Sequence, residues 1–173
     1  MNNRLPHSFF TGLIFCCLPG LALAQGTLNL TGSITNTTCA LSQESQDILV
    51  TLGSASLKQF TVKGATAQAK DFAIKLEDCG KGVTTVRVSF SGTPDNDDAS
   101  VIALDAGGAS GVGVQILDAN MNPIKLTEAS LPYPLEASPA EVTLKFNARY
   151  IATRLPITTG IANASGTFVF HYD

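Results

Sequence analysis

Apolar and polar residues alternate at a period of two along most of this chain, a pattern typical of β-strands that have one buried face. The alternation is clearest at the C-terminal end, where Phe168, Phe170 and Tyr172 fall on one face. No window sustains a helical period, and clusters of Gly, Pro, Asn and Asp separate the alternating segments. The chain is therefore predicted to be all-β, as a sandwich or a barrel. The predicted strands cover residues 28–35, 48–52, 72–77, 83–90, 112–117, 124–126, 142–151 and 166–173.

The C-terminal strand raises a question of pairing. Unpaired N–H and C=O groups along a strand edge template pairing with another chain, and chain termini are ordinarily polar and frayed. The aromatic side chains of this strand therefore predict one of two arrangements. Either the strand lies inside the protein's own sheet, or it accepts a strand from another molecule, and the residues of this segment leave both open.

The first 24 residues have the features of a secretory signal peptide. Arg4 precedes an apolar run over residues 9–18, and Ala22-Leu23-Ala24 supplies the small residues of a cleavage site. Cleavage after Ala24 leaves 149 of the 173 residues, the size of one domain, with a net charge of −4 once Arg4 is removed. That charge argues against a nucleic-acid partner. No later segment is apolar over the roughly 18 residues that a membrane span requires, so we expect no membrane insertion of the mature chain.

Two cysteines remain after the predicted cleavage, Cys39 and Cys79, separated by 40 positions. An isolated pair in an exported chain predicts a disulfide. A metal site is disfavoured because only His171 could join the two thiols. The chain contains no Trp, whereas antibody-type domains pack a Trp against their disulfide, so the sandwich is predicted to be of another kind.

The residues offer little catalytic chemistry. His171 is the one histidine of the mature chain and is expected to face solvent, away from the aromatic face of its strand. The acidic segment 95–98 lacks the glycine and the closing glutamate of a calcium loop, and the glycine-rich segment 107–113 is followed by neither a lysine nor a helix. We therefore predict no enzyme activity, no catalytic residue, no metal site and no cofactor.

Several features follow one another in a definite order along the chain. An alternating arm with a central Gly32 follows the signal peptide and leads to Cys39, and Cys79 lies about forty residues further on. Gly160 is fourteenth from the end and Tyr172 is next to last. Together these features resemble the type 1 pilins of chaperone–usher fimbriae, in which segment 146–150 is similar to the penultimate strand and Gly160 and Tyr172 match the C-terminal signature. Each feature is weak alone, but their order and spacing together are specific.

This resemblance implies an immunoglobulin-like sandwich that lacks its C-terminal seventh strand and is completed by a donor strand from another chain. The implied organisation is a signal peptide (1–24), a donor-strand extension (25–38) and an incomplete pilin domain (39–173). The implied donor residues are Leu28, Leu30, Gly32 and Ile34. The implied acceptor groove and C-terminal recognition motif contain Gly160, Phe168, Phe170 and Tyr172.

The resemblance also implies partners and a location. The partners are a periplasmic pilus chaperone, an outer-membrane usher and neighbouring fimbrial subunits. The chain would be exported through the periplasm into a fimbrium on the bacterial cell surface. Segment 151–160 is more similar to that of a minor, tip-proximal subunit than to that of a major one.

Two other functions are compatible with the residues. A tip adhesin would bind sugar, but 149 residues leave no room for a lectin domain before the pilin domain, and a donor arm has no purpose at a tip. A self-contained secreted β-sandwich would instead be a stable monomer without any partner.

Overall fold

The computed structural model describes residues 31, 38–136 and 141–173. Within these residues the chain forms β-strands and two short 3-10 turns, at Gln43–Ser45 and Leu57–Gln59. No helix in this part of the chain is long and apolar enough to cross a lipid bilayer. The strands are β1 (Ala40–Leu41), β2 (Lys70–Glu77), β3 (Thr85–Gly92), β4 (Ile102–Ala103), β5 (Val112–Asp118), β6 (Pro123–Ile124), β7 (Tyr133–Pro134), β8 (Glu141–Ala152) and β9 (Gly166–Tyr172).

The strands form two antiparallel sheets. The larger sheet has the order β1-β2-β8-β5-β4, and β6 also pairs with β5. The smaller sheet has the order β7-β3-β9. The predicted strands at 72–77, 83–90, 112–117, 142–151 and the C-terminal end therefore correspond to β2, β3, β5, β8 and β9.

The two sheets bury their alternating apolar residues against each other. Leu144 and Phe146 of β8 are fully buried, as are Val86 and Val88 of β3. The rings of Phe90 and Phe146 meet edge to face across the sheets, with centroids 5.0 Å apart. Each side chain of this kind contributes about 1.5–3 kcal/mol when it is fully buried. The period-two pattern of the sequence is thus the source of the sandwich.

The predicted disulfide between Cys39 and Cys79 is confirmed, with an S–S distance of 2.05 Å. Cys79 follows β2, and the amide of Gly80 donates to the carbonyl of Thr38 at 3.1 Å. These bonds fix the start of the domain beside the end of β2.

The prediction of a strand at residues 48–52 is wrong in one respect. The segment alternates as predicted, with Ile48, Val50 and Leu52 half-buried and Leu49 91% exposed. It nevertheless pairs with no strand of the described residues. An alternating pattern specifies which face is buried, whereas a ladder needs a neighbour at hydrogen-bonding distance.

The acidic segment 95–98 folds as a turn. Asp95 Oδ1 accepts hydrogen bonds from the amides of Asp97 and Asp98, at 2.9 and 3.2 Å. Asp98 Oδ1 accepts from both the amide and the hydroxyl of Ser100. These carboxylate oxygens therefore bond to their own loop, as Asp side chains commonly do in turns.

Replacing Cys39 and Cys79 together with Ser should lower the free energy of unfolding by about 3–4 kcal/mol, because the 40-residue loop that they close would regain its freedom in the unfolded chain. Urea unfolding of the full chain measures the change, and reduction of the unmutated chain should reproduce it. A loss below about 1 kcal/mol would show that the bond does little for stability.

Candidate strand-binding groove

The last strand is hydrogen-bonded along one side only, since among the described strands β9 pairs with β3 alone. Residues of an antiparallel pair alternate between hydrogen-bonded and non-hydrogen-bonded positions. The amides of Thr85 and Asp173 each donate to the other's carbonyl at 3.1 Å, which places odd-numbered residues in the bonded positions. The even-numbered residues of β9 therefore direct their N–H and C=O groups away from β3. They are Gly166, Phe168, Phe170 and Tyr172.

The hydrogen bonds on the opposite side of β3 agree with this assignment of bonded and non-bonded positions. The carbonyls of Val88 and Phe90 accept from the amides of Ser130 and Thr127, each at 2.8 Å, on the side away from β9. Val88 and Phe90 are the register partners of Phe170 and Phe168. Each even pair of the two strands is thus a non-bonded pair.

The one-sided edge extends upstream of β9. The carbonyl of Ile161 accepts from the amide of Ala109, and that of Asn163 accepts from the amide of Asp105, both at 2.8 Å. Odd-numbered residues again bond to the protein's own loops. Ile161 is 72% exposed, whereas Ala162 and Ala164 are half-buried and pack against the core. Residues 161–172 therefore form one extended wall whose groove side forms no ladder with a described strand, although the Ala162 carbonyl there bonds to the Tyr150 side chain.

A second wall faces the first across an open cavity of about 660 Å³. It consists of residues 46–53, with Ile48, Val50 and Leu52 turned towards the core. The floor is apolar and is supplied by both sheets, through Phe72, Phe90, Ile102, Val114, Ile116 and Ala148. Among the described residues that line the cavity, Asp47 is the single charged one. The cavity is suited to apolar side chains.

One end of this groove is closed by an aromatic contact. The rings of Phe168 and Phe170 lie 5.4 Å apart, and those of Phe170 and Tyr172 lie 6.1 Å apart. The hydroxyl of Tyr172 donates to the carbonyl of Cys39 at 3.4 Å. Burial raises the pKa of Tyr172, and the bond to Cys39 opposes that shift in part. The end of β9 is thus held beside the disulfide, and the cavity extends from Phe168 towards Ala162.

Tyr150 positions the open half of the C-terminal wall. Its hydroxyl donates to the carbonyl of Ala162 at 2.8 Å, and its ring lines the cavity. Burial raises the pKa of Tyr150 above its ordinary value of about 10, so the phenol stays protonated and able to donate at neutral pH. The bond places Ala162 above the buried end of β8.

The structure places the predicted site residues in different ways. Phe168 lines the cavity, and Phe170 and Tyr172 continue the same uncovered edge to its closed end. Gly160 lies outside the cavity lining and packs on the neighbouring loop, where a Cβ would come within 2.6 Å of the Ala109 amide nitrogen. The predicted donor residues fall outside the described residues. They are Leu28, Leu30, Gly32 and Ile34.

The sequence prediction missed both the 46–53 wall and the small residues Ala162 and Ala164. The signal for the latter was an inverted alternation, in which the small residues face the groove and Ile161 faces solvent. Hydrophobicity alone assigns those faces the other way round. His171 lies on the exposed face of β9, where its Nε2 is 2.9 Å from Ser89 Oγ, so it does not face the cavity.

The fold and the groove define an immunoglobulin-like β-sandwich in which the last strand pairs along one edge only among the described strands. Comparison with known proteins gives the family: the model described as "Fimbrial protein" matches residues 28–173. The chain belongs to this fimbrial protein family.

Three similar proteins illustrate the relationship. The chain is 40% identical to the uncharacterized fimbrial-like protein YcbV of Escherichia coli K12, over 95% of each chain. It is 34% identical to "Fimbrial subunit type 1" of Salmonella typhimurium over the full length of both. The crystal structure of the P pilus rod subunit PapA superimposes with a TM-score of 0.66 at 20% identity, covering 78% of this chain and 99% of that one, which shows the shared fold. The chain is accordingly a structural subunit of a surface fimbria and not an enzyme.

Replacing Tyr150 with Phe should loosen the C-terminal wall, because the Ala162 carbonyl loses its hydrogen bond. We expect a loss of about 1 kcal/mol of stability and faster hydrogen exchange at the Asp105 amide, which bonds to the next residue along, Asn163. Tyr133 is the matched control, since its hydroxyl also donates to a backbone carbonyl, that of Lys145, but away from the cavity. Equal acceleration of Asp105 exchange in both variants would contradict this role.

Proposed function

We propose that this subunit joins its fibre by donor-strand exchange. In this proposal the groove between residues 46–53 and 161–172 receives an extended arm from a neighbouring subunit. The chain's own arm, residues 25–38, enters the groove of another neighbour. Each subunit is then both acceptor and donor, and the head-to-tail contact builds an open filament because it does not close on itself.

The one-sided edge of β9 is the observation that carries this proposal. Its even-numbered residues direct towards the groove both their half-buried aromatic side chains and the backbone groups that bond to no described strand. An incoming strand can therefore form ladder hydrogen bonds and place alternate side chains in the cavity at the same time. A self-contained monomer would expose an apolar cavity of about 660 Å³ beside a strand edge that pairs with no described strand. The structure therefore favours a subunit that is completed by another chain.

The arm has the complementary pattern. Leu28, Leu30 and Ile34 share one face with Gly32, which suits a place where the two backbones approach closely. Burial of the three aliphatic side chains would contribute roughly 5–9 kcal/mol, at about 1.5–3 kcal/mol each. Asn29 and Thr31 would face outward.

The same groove accounts for the expected assembly partners. An uncovered apolar edge promotes aggregation, so a chain folding in the periplasm needs a temporary strand from a pilus chaperone before it reaches an outer-membrane usher. Phe168, Phe170 and Tyr172 would contact that strand, and Gly160 would belong to the recognised C-terminal motif.

Export through the signal peptide, residues 1–24, agrees with the Cys39–Cys79 disulfide, which requires an oxidising compartment. The rank of a minor, tip-proximal subunit stays a prediction that counting copies per fibre would test.

Replacing Leu30 with Asp should prevent the chain from donating its arm, because a carboxylate would enter an apolar groove. We expect its amount in sheared fimbriae to fall by about tenfold or more. Quantitative mass spectrometry of the fimbrial and cell-retained fractions measures this ratio.

Asn29→Asp is the control, since it adds the same charge to the opposite face of the arm. It should enter fimbriae at the level of the unmutated chain. Normal incorporation of the Leu30→Asp chain, or equal impairment of both variants, would contradict donor-strand exchange through this face.

A further inference from the structure

The groove-facing side chains of the C-terminal wall increase in size from one end of the wall to the other. Its even-numbered residues are small in the open half, at Ala162, Ala164 and Gly166, and aromatic in the closed half, at Phe168, Phe170 and Tyr172. The cavity follows this gradient, since its lining includes the three small residues and Phe168 but neither Phe170 nor Tyr172. Room for an incoming side chain therefore exists opposite residues 162–168.

The floor beneath the small residues is already fixed. Ile102, Val114 and Ile116 line the cavity there and are each less than 9% exposed. They belong to β4 and β5 in the larger sheet, which is held by the β5–β8 ladder. The space available to an incoming side chain beside Ala162, Ala164 and Gly166 thus depends on the side chains of the C-terminal wall and not on rearrangement of the floor.

Two of the three small positions, Ala162 and Ala164, carry a side chain, whereas the third is a glycine that the fold requires. A Cβ at Gly166 would lie 2.8 Å from the Ser91 carbonyl oxygen and 3.1 Å from Ile102 Cδ1, so the fold itself requires glycine there. Ala162 is bonded through its carbonyl to Tyr150. Ala164 lies between them, half-buried against the core and facing the cavity, while its neighbour Asn163 is held by Asp105.

We propose that Ala164 determines which side chain the groove accepts. Its small size admits one bulky aliphatic residue from the arm of a neighbouring subunit, and the aromatic half of the wall admits only shallow residues. This inference rests on the proposed function and adds to it the position at which the arm is selected. The occupant is the arm of a second copy of this chain, because the aliphatic residues of segment 28–34 match an apolar cavity.

The test measures binding of a labelled synthetic peptide of residues 25–38 to the full exported chain. Ala164→Leu should weaken binding by about tenfold or more, because the added side chain occupies the space of the incoming residue. Ala164→Val should give a smaller loss, and it replaces Ala164→Leu if that chain fails to fold. Ala119→Leu is the matched control, since Ala119 is exposed in the turn after β5 and lies outside the cavity lining, and it should leave binding unchanged.

A rescue experiment separates size matching from general damage. Peptides carrying Leu28→Ala, Leu30→Ala or Ile34→Ala are each bound to the Ala164→Leu chain. One of them should recover most of the lost affinity, and the position that does so identifies the residue facing Ala164. Unchanged binding by Ala164→Leu, or loss with no rescue by any peptide, would overturn the inference. If the unmutated chain bound no peptide at all, the proposed function itself would fail.

Discussion

The one-sided ladder between β3 and β9 is the constraint on which the groove depends. β3 uses the backbone groups of its odd residues for β9, and its even residues bond to the 127–135 segment on the other side. The same alternation pairs β9 with β3 on one side and leaves its other side without a partner strand in the part of the chain that the structure describes. Because side-chain direction and backbone direction both repeat every two residues, the open backbone groups belong to the aromatic residues that face the core.

The rest of the sandwich keeps that edge open and in place. The Tyr172–Cys39 contact holds one end of the C-terminal wall beside the disulfide, while Tyr150 and the 105–109 loop hold the other end. The 46–53 wall contributes apolar side chains without forming a ladder of its own within the described residues. The result is a space with rigid sides, which is what a fibre subunit needs if a neighbour is to complete it.

Much of this fold could be predicted from alternation and turn residues. The strands β2, β3, β5, β8 and β9, the disulfide and the solvent-facing His171 all followed from local patterns in the sequence. The lateral partner of segment 48–52 could not, because the faces of a strand are encoded locally whereas its neighbours are determined by the whole sheet. Ala162 and Ala164 were not predicted for a related reason. The role of a small residue in lining a cavity depends on the tertiary structure around it and not on the local sequence.

Amide hydrogen exchange of β9, compared between the isolated full chain and the assembled fimbria, tests the central claim most directly. The amides of Val169 and His171 face β3 and should be protected in both states. The amides of Phe168 and Phe170 face the groove, so we predict fast exchange in the isolated chain and strong protection in the fibre. Equal protection of all four amides in both states would show that the edge is already paired and would contradict the account.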